Sequence, residues 1–280
     1  MQKEFNDISA DDRPDKLSTA EFSQACQRIA QDYFGHVTQN NASPQLLYVT
    51  GLPGAGKSTF VEQERDARPE LQDAVLINFD DLRIYHPRYD EYVAQDPINA
   101  AARIDRAVED MIGWLCDEAA ERSVHVILDD AAMGEEMTGI VLAPYKKQDY
   151  QIDAVVMAVP SLIARQSVLL RFEEDYAAVK SGKDALPRWV NTQEQDNAPN
   201  ALLETTKVLE TDTNLNSLKI VDRTGAQLSA LQQPSMVVKM EMKRDLSKAE
   251  QSVYAEHQKT IQNLSQKRRG ATHFVRRNGK

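Results

Sequence analysis

Residues 51–58, Gly-Leu-Pro-Gly-Ala-Gly-Lys-Ser, limit the possible folds of this chain more than any other feature. They match the pattern G-x-x-x-x-G-K-[ST] at every fixed position. The preceding residues, Gln45–Thr50, form a short apolar and partly β-branched run, which predicts a buried strand. The motif has structural meaning where a strand enters a glycine-rich turn and a helix follows it. The pattern therefore predicts an α/β fold built around this strand–loop–helix unit.

The chemistry of this segment indicates binding of a nucleoside triphosphate. Glycines let backbone N–H groups turn inward around phosphate oxygens, and the following helix adds the positive end of its dipole. We expect Lys57 to reach the β- and γ-phosphates of ATP, and the Ser58 hydroxyl to bind Mg²⁺ beside them. The residues predicted to bind the nucleotide are Gly51, Pro53, Gly54, Ala55, Gly56, Lys57, Ser58 and Thr59.

Four further apolar runs predict the remaining strands of the core. They are Ala74–Ile77, Val124–Leu128, Ile152–Val159 and Leu218–Val221. The stretches between them are long enough for crossover helices, and Ser161 can cap one that runs through Arg171 toward Tyr176. We therefore predict a P-loop NTPase-type three-layer sandwich with a mostly parallel sheet.

Composition argues against nucleic-acid-binding, disulfide-rich and membrane-spanning proteins. The net charge is −10, and the Lys267–Lys280 segment holds six of the 33 basic residues, which leaves 27 against 43 acidic residues elsewhere. Nucleic-acid binding draws most of its affinity from Lys and Arg, so we expect no specific nucleic-acid partner. Two cysteines are too few for a disulfide framework and favour a reducing cytoplasm. No apolar run approaches the ~20 residues of a membrane-spanning helix, and Met1–Pro14 is acidic rather than signal-like.

Two neighbouring acids follow the second predicted strand. Asp80 and Asp81 stand where a parallel strand ends, and α/β folds bind ligands at that edge. A kinase that phosphorylates a hydroxyl needs a carboxylate to accept the proton and to aim the oxygen at the γ-phosphate. Either acid could do this while the other faces outward. The alternative is that one of them only caps the following helix.

The third predicted strand also ends in two acids, Asp129 and Asp130. Asp129 resembles the carboxylate that holds Mg²⁺ or its waters in P-loop enzymes. It could instead contact the acceptor substrate or be a solvated acid at the end of a strand. The pattern leaves these three interpretations open.

Several cations could cover the transferring phosphoryl group. The helix after Ser161 carries Arg165 and Arg171, and the loop beyond it carries Lys183 and Arg188. Any of them could close over the phosphates and stabilise the charge of the transition state. The run that begins at Arg171 could equally be an exposed helix face with internal ion pairs.

The flanking segments are predicted to be helical. Ser18 and Glu21 form a capping-box pattern before apolar residues at helical spacing, and strand-like runs end after Ala226. We predict an N-terminal helical segment at 1–44, a P-loop kinase domain at 45–225, and a helical extension with a basic tail at 226–280.

Together these motifs resemble the zeta-toxin family, the kinase half of bacterial epsilon–zeta toxin–antitoxin systems, from about Leu46 to Arg223. The family has a P-loop of the form G-x-x-G-x-G-K-[ST], as in Gly51–Ser58. A strand then leads to D-x-[FL]-[RK]-x-x-H-P-x-[YF], which is similar to Asp80–Tyr89. The family's R-[YF]-E helix resembles the segment that begins at Arg171.

The resemblance implies a role for each matching residue. Lys57 and Ser58 would hold phosphates and Mg²⁺, Asp80 rather than Asp81 would activate the acceptor hydroxyl, and Arg171 would neutralise the phosphoryl group. Family members phosphorylate UDP-N-acetylglucosamine in the bacterial cytoplasm, and a small helical antitoxin holds them inactive at the nucleotide site. The expected acceptor is therefore a UDP-sugar. The residues expected at the acceptor are Asp80, Arg83, His86, Asp129 and Asp130, and those expected at the metal are Ser58 and Asp129.

Two departures from the family pattern bear on the acceptor. Residues 129–131 are Asp-Asp-Ala where the family has an E-G-T-like turn, and Asp184 stands thirteen residues beyond Arg171, where the family has a second arginine. Lys183 or Arg188 could replace that arginine. A kinase for a nucleoside, an antibiotic or a cofactor is therefore an alternative, as is a nucleotide-binding regulatory module that acts through a partner. The Phe22–Tyr33 helix could also occupy an antitoxin surface in cis.

Overall fold

Five parallel strands form the central sheet of the computed structural model, which describes residues 16–35, 37, 41–96, 99–183, 187, 190, 192–228 and 233–277, with only the backbone at 194 and 270–277. The spatial order of the strands is β2-β3-β1-β4-β5. The strands are β1 (Gln45–Gly51), β2 (Val75–Asn78), β3 (Val126–Ala131), β4 (Gln151–Met157) and β5 (Leu215–Val221). All five predicted runs are strands, and the predicted parallel α/β fold is confirmed.

Helices connect and flank these strands. Within the described residues they are α1 (Thr19–Phe34), α2 (Lys57–Ala67), α3 (Tyr89–Gln95), α4 (Ala100–Glu121), α5 (Gly134–Lys147), α6 (Ser161–Lys180), α7 (Thr192–Thr211), α8 (Pro234–Lys243) and α9 (Lys248–Arg277). Short 3₁₀ helices occupy Pro69–Leu71 and Asp80–Tyr85. In this described part of the chain, no helix is long and apolar enough to cross a membrane.

The order of the strands assigns the helices to two faces of the sheet. The chain moves toward one edge from β1 to β2, and toward the other edge at each later crossover. Because crossovers between parallel strands are right-handed, α2 covers one face while α4, α5 and α7 cover the other. The contacts of α5 with α4 and with α7 agree with this arrangement. The loop after β1 therefore opens at the carboxyl edge of the sheet, beside β3.

The N-terminal helix α1 packs into the same hydrophobic core as the sheet. Its capping box is formed by Ser18 and Glu21, as predicted. Its apolar face, including Ile29 and Phe34, is buried in that core. The Tyr85 hydroxyl donates a hydrogen bond to Asp32 of this helix at 2.9 Å. Helix α1 therefore braces the 3₁₀ segment that begins at Asp80.

The start of α6 differs from the prediction. Ser161 does not cap the helix, because it is already the first helical residue and Pro160 occupies the cap position without a side-chain hydrogen bond. Pro160 is extended, with φ −54° and ψ 129°, so the chain turns from β4 into the helix within one residue.

The C-terminal extension packs along α6. Gln166 donates a hydrogen bond to the Tyr254 carbonyl at 2.7 Å, and the Arg268 guanidinium donates to Glu173 at 3.1 Å. Arg268 also lies over the rings of Phe172 and Tyr176, at 5.5 and 5.7 Å. The segment predicted to be a basic tail therefore continues α9 as far as Arg277, and its first turn is fixed by a buried acid of α6.

Candidate phosphoryl-transfer site

The glycine-rich loop leaves β1 and runs directly into α2, which begins at Lys57. Gly54 and Gly56 have φ values of 81° and 99°, a region that residues with a Cβ rarely adopt. A Cβ at Gly54 would also collide with the Ala164 carbonyl oxygen of α6. The loop thus needs glycine both for its curvature and for its close packing against α6.

Lys57 lies between the loop and the acids of β3. Its Nζ donates to the carbonyl oxygens of Gly51 and Leu52 at 3.2 and 3.4 Å. Burial lowers the pKa of Lys57, while the nearby charges of Asp129 and Asp130 raise it. The ammonium group is therefore held at the mouth of the loop and close to carboxylates.

Asp129 faces the same side of the sheet as α2. Its Oδ2 accepts a hydrogen bond from Asn78 at 3.0 Å, whereas its buried Oδ1 has no hydrogen-bond partner among the described residues. Burial raises the pKa of Asp129, and Lys57, Asn78, the Ser58 hydroxyl and Arg171 oppose that shift. Because each of these groups stabilises the carboxylate, they all lie near it.

Asp130 points the other way, because successive side chains of a strand alternate between the faces. Its side chain is buried, and Oδ2 accepts a hydrogen bond from the Tyr48 hydroxyl at 2.8 Å. The Thr138 hydroxyl of α5 is near Tyr48, which places this pair on the face covered by α5. The predicted acceptor residue Asp130 therefore lies beneath the site, on the opposite face from Asp129.

Burial raises the pKa of Asp130 to about 6, above its ordinary value of 3.8, so the folded protein holds this proton more tightly than the unfolded chain. Stability is therefore lost as the pH rises from about 4 to about 6. We expect Asp130→Asn, which keeps an acceptor for Tyr48, to raise the free energy of unfolding by about 2–3 kcal/mol at pH 7.5. Urea unfolding at pH 4 and 7.5 measures this. The exposed Asp73→Asn is the control, and equal pH dependence in Asp130→Asn and the wild type contradicts the prediction.

Asp80 begins the 3₁₀ helix after β2 and is tied to β3 through Asn78. The Asn78 Oδ1 accepts a hydrogen bond from the Asp80 amide at 2.8 Å, while its Nδ2 donates to Asp129. The Arg83 guanidinium donates to the Asp80 carboxylate. About 31% of the Asp80 side chain is exposed, so the carboxylate is oriented and still open to a substrate.

Arg83 connects Asp80 to helix α4 through hydrogen bonds from its guanidinium. Its Nε and Nη2 donate to Asp105 of α4 at 3.1 and 2.9 Å, and the guanidinium lies 5.5 Å from the Phe79 ring. Only 10% of the side chain is exposed. The charge of Arg83 also lowers the pKa of Arg171, so the two guanidinium groups are neighbours. Arg83 thus holds Asp80 on the side of the site that α6 borders.

The other residues of the Asp80–Tyr89 segment differ in exposure. His86 is buried, its Nδ1 accepts a hydrogen bond from the Arg88 amide at 3.2 Å, and its ring lies 5.8 Å from Tyr92. These contacts fix the turn after the 3₁₀ helix. Asp81 is exposed at the surface. Desolvation by neighbouring atoms and the Asp129 charge still raise the pKa of its carboxyl group, so it lies within electrostatic range of the site.

Arg171 approaches the site from α6. Burial lowers its pKa, and the charges of Asp175 and Asp129 raise it. Its Nε is buried without a hydrogen-bond partner in the described part of the chain, and no described carboxylate lies within ion-pairing distance. The alternative of an exposed helix face with internal ion pairs does not describe this side chain.

The other candidate cations stand apart from this group. Arg165 is paired with Asp196 of α7. Lys183 is exposed just beyond the end of α6, and Arg188 lies outside the described residues.

Three residues near the site were not selected from the sequence, namely Asn78, Asp105 and Arg223. Asn78 directly precedes Phe79-Asp80 and could have been found from the ligand-binding strand edge, whereas Asp105 and Arg223 belong to no local motif.

The strand order, the phosphate loop after β1 and the convergence of Lys57, Asp129, Asp80 and Arg171 define a P-loop kinase-like protein. A family profile described as Zeta toxin matches residues 27–231. The chain belongs to the zeta toxin family, and the predicted resemblance is confirmed. The matched region begins within α1 and ends before α8 and α9.

One similar solved structure comes from work on the PezAT chromosomal toxin–antitoxin system of the human pathogen Streptococcus pneumoniae. It superposes with a TM-score of 0.72 at 17% sequence identity, over 89% of this chain and 98% of that chain. At this identity the likeness shows the fold alone. A search of curated proteins finds no match.

Proposed function

We propose that the protein is a kinase that transfers the γ-phosphate of ATP to a hydroxyl of a UDP-sugar, with UDP-N-acetylglucosamine as the first candidate. The observation that carries this proposal is the oriented carboxylate of Asp80 at the carboxyl edge of the sheet, which Lys57 of α2 and Arg171 of α6 also approach. A nucleotide-binding switch needs the loop and the lysine, whereas transfer to a hydroxyl also needs a base and a cation for the moving phosphoryl group.

The oxygen atoms near the loop fit Mg²⁺. This ion prefers oxygen ligands and is usually bound by one or two protein groups together with substrate phosphates. Such groups are supplied by the Ser58 hydroxyl at the start of α2 and by the Asp129 Oδ1 at the end of β3, which has no hydrogen-bond partner in the described part of the chain. When bound, Mg²⁺ supplies neutralisation of the β- and γ-phosphate oxygens.

The transfer itself requires positioning and electrostatic stabilisation. Asp80 accepts the proton of the acceptor hydroxyl, whose oxygen bonds to the γ-phosphorus as the bond from that phosphorus to the β–γ bridging oxygen breaks. Lys57 stabilises the charge that collects on ADP, and Arg171 stabilises the three oxygens of the moving phosphoryl group. Asn78 and Arg83 keep the base in place through their hydrogen bonds to Asp80.

The biological consequence follows from the family. Phosphorylation of UDP-N-acetylglucosamine would remove a precursor of the bacterial cell wall, and we place this activity in the cytoplasm. Membership in a toxin family and the likeness to a structure from a toxin–antitoxin system support a small antitoxin protein as a partner. The apolar face of helix α1 packs into the core of the domain, and this packing does not favour inhibition in cis by that segment.

A kinase for another small acceptor is the second candidate. Residues 129–131, Asp-Asp-Ala, replace the turn that contacts the sugar nucleotide in the family, and Asp130 is bonded to Tyr48 beneath the site. This side chain is therefore not placed to contact a sugar nucleotide, which favours an acceptor of different shape.

Incubation with ATP–Mg²⁺ and a panel of UDP-sugars, nucleosides and aminoglycosides tests the proposal. We expect the mass of one UDP-sugar to increase by one phosphate, and Lys57→Met to abolish the increase. Phosphorylation of a nucleoside or an aminoglycoside alone would favour the second candidate. ATP binding without transfer to any compound would reject both candidates and favour a regulatory nucleotide-binding module.

A further inference from the structure

Arg223 reaches the phosphate loop from the turn after β5. Its Nη1 donates a hydrogen bond to the Ser167 hydroxyl of α6 at 2.9 Å. Its stem runs beside Gly56, where an added Cβ would lie 3.4 Å from the Arg223 Cγ and 3.6 Å from its Nε. The side chain thus spans from β5 to the last glycine of the loop.

The turn that carries Arg223 is firmly held. The Asp222 carboxylate accepts hydrogen bonds from the amides of Thr224 and Ala226 at 2.8 and 3.1 Å. Gly225, with φ 83°, packs so closely on Phe60 of α2 that an added Cβ would lie 3.4 Å from the ring. The backbone of Arg223 is therefore docked against the helix that begins in the loop.

The guanidinium of Arg223 has no compensating acid. In the part of the chain that the structure describes, no carboxylate lies within ion-pairing distance of it, and burial lowers its pKa. The neighbouring Asp222 carboxylate is occupied by the turn amides. Arg223 is exposed, but Ser167 holds its guanidinium beside a loop that cradles phosphates, and no described carboxylate neutralises it, so it is suited to bind an anion.

The positions of Arg223 and Arg171 along α6 indicate which phosphates of a bound nucleotide each arginine would contact. Ser167, which holds Arg223, lies four residues before Arg171, about 6 Å along the helix axis, so the two arginines meet α6 at successive turns of the helix. The loop backbone that includes Gly56 cradles the α- and β-phosphates in such motifs, whereas the lysine reaches the β- and γ-phosphates. Arg223 is beside Gly56, and Arg171 is beside Lys57 and Asp129.

We propose that Arg223 binds the α- and β-phosphates of the nucleotide and determines its affinity, while Arg171 acts on the transferred γ-phosphate. This inference rests on the proposed binding of ATP at the loop. Because the α- and β-phosphates are common to ATP and ADP, Arg223 contributes equally to the binding of both nucleotides.

Calorimetric titration of the full-length protein with ADP–Mg²⁺ and with a non-hydrolysable ATP analogue tests the division of roles. We expect Arg223→Gln to weaken the affinity for each nucleotide about tenfold, the usual effect of losing one charge-assisted contact. The KM for ATP should rise by the same factor, while kcat stays unchanged. Ser167→Ala, which removes only the hydrogen bond that positions Arg223, should weaken both affinities by a smaller factor.

Arg165→Gln is the matched control, since Arg165 lies on the same helix and is paired with Asp196. It should leave both affinities unchanged, and thermal melting should give the same midpoint for every variant. An unchanged affinity for ADP in Arg223→Gln overturns the inference, and so does a loss confined to the ATP analogue. Absence of phosphoryl transfer in the wild type would reject the proposed function and leave these binding measurements interpretable.

Discussion

Asp80→Asn is expected to lower the rate of phosphoryl transfer by about two to four orders of magnitude, the usual contribution of a general base. Asparagine cannot accept the proton of the acceptor hydroxyl, but its oxygen can still accept the hydrogen bond from Arg83. The loss should therefore fall on kcat, with the KM for ATP and the thermal midpoint nearly unchanged. Initial rates at saturating ATP–Mg²⁺ and acceptor measure it.

Asp81→Asn is the matched control for this experiment. It removes an equal charge from the next residue, whose side chain is exposed and lies within range of Asp129. We expect its rate to stay within about threefold of the wild type, because loss of an exposed charge changes the local field only slightly. A large loss in Asp81→Asn together with full activity in Asp80→Asn would reverse the assignment of the base.

Arg171→Met is expected to lower kcat by about three orders of magnitude or more, as removal of a phosphoryl-stabilising arginine does in related chemistry. The physical reason is that the Arg171 Nε is buried and the guanidinium forms no ion pair among the described residues, so its charge is available for the oxygens of the moving phosphoryl group. Methionine keeps most of the volume of the side chain. Single-turnover kinetics of phosphate transfer separate this effect from product release.

The stability of the variant gives a second readout. Because the cost of burial at Arg171 exceeds the attraction of the Asp175 and Asp129 charges, its removal should leave the thermal midpoint unchanged or raise it. Arg165→Met, on the same helix, should keep the rate of transfer because that guanidinium is bonded to Asp196. Equal losses of rate in both variants would show that α6 as a whole, rather than the Arg171 charge, governs transfer.

Much of the fold could be predicted because its signals are local. The β1 run enters a motif whose glycines have one structural use, and buried parallel strands appear as continuous apolar runs. The β5 strand begins at Leu215, three residues before its predicted start at Leu218, because its first half alternates between exposed and partly buried positions at the edge of the sheet. The Ser161 cap was wrong because serine fits both the cap and the first helical turn, and only the backbone distinguishes them.

The residues of the candidate site also separate into those that local sequence signals predict and those that they do not. Lys57 and Ser58 follow from their motif, the pair Asp80 and Asp81 from its place after a strand, and the choice of Asp80 from the family resemblance. The sequence prediction assigned both Asp129 and Asp130 to the site. Successive side chains of a strand point to opposite faces, so only Asp129 faces the loop, and the prediction did not take this alternation into account. Asp105 was missed because its partner Arg83 lies 22 positions away and on another element.

The C-terminal extension illustrates the limit of local patterns. A run of basic residues predicts a solvated tail when the nearby sequence offers no acidic partner. The partner of Arg268 is Glu173, 95 positions earlier, and the two meet only because α9 packs along α6. This contact supports the helix that carries Arg171, although α9 lies outside the residues that the family profile matches.

The sequence by itself determined the glycine-rich loop after β1, the parallel α/β core and the family, because each depends on residues that are neighbours in the chain. Only the tertiary structure decided which cations near the loop form ion pairs with described acids and which do not. Among the described residues, Arg165 and Arg83 form ion pairs with acids from other elements, whereas Arg171 and Arg223 form none. The free energy of a buried charge depends on what surrounds it in space, and spacing along the chain does not record those surroundings.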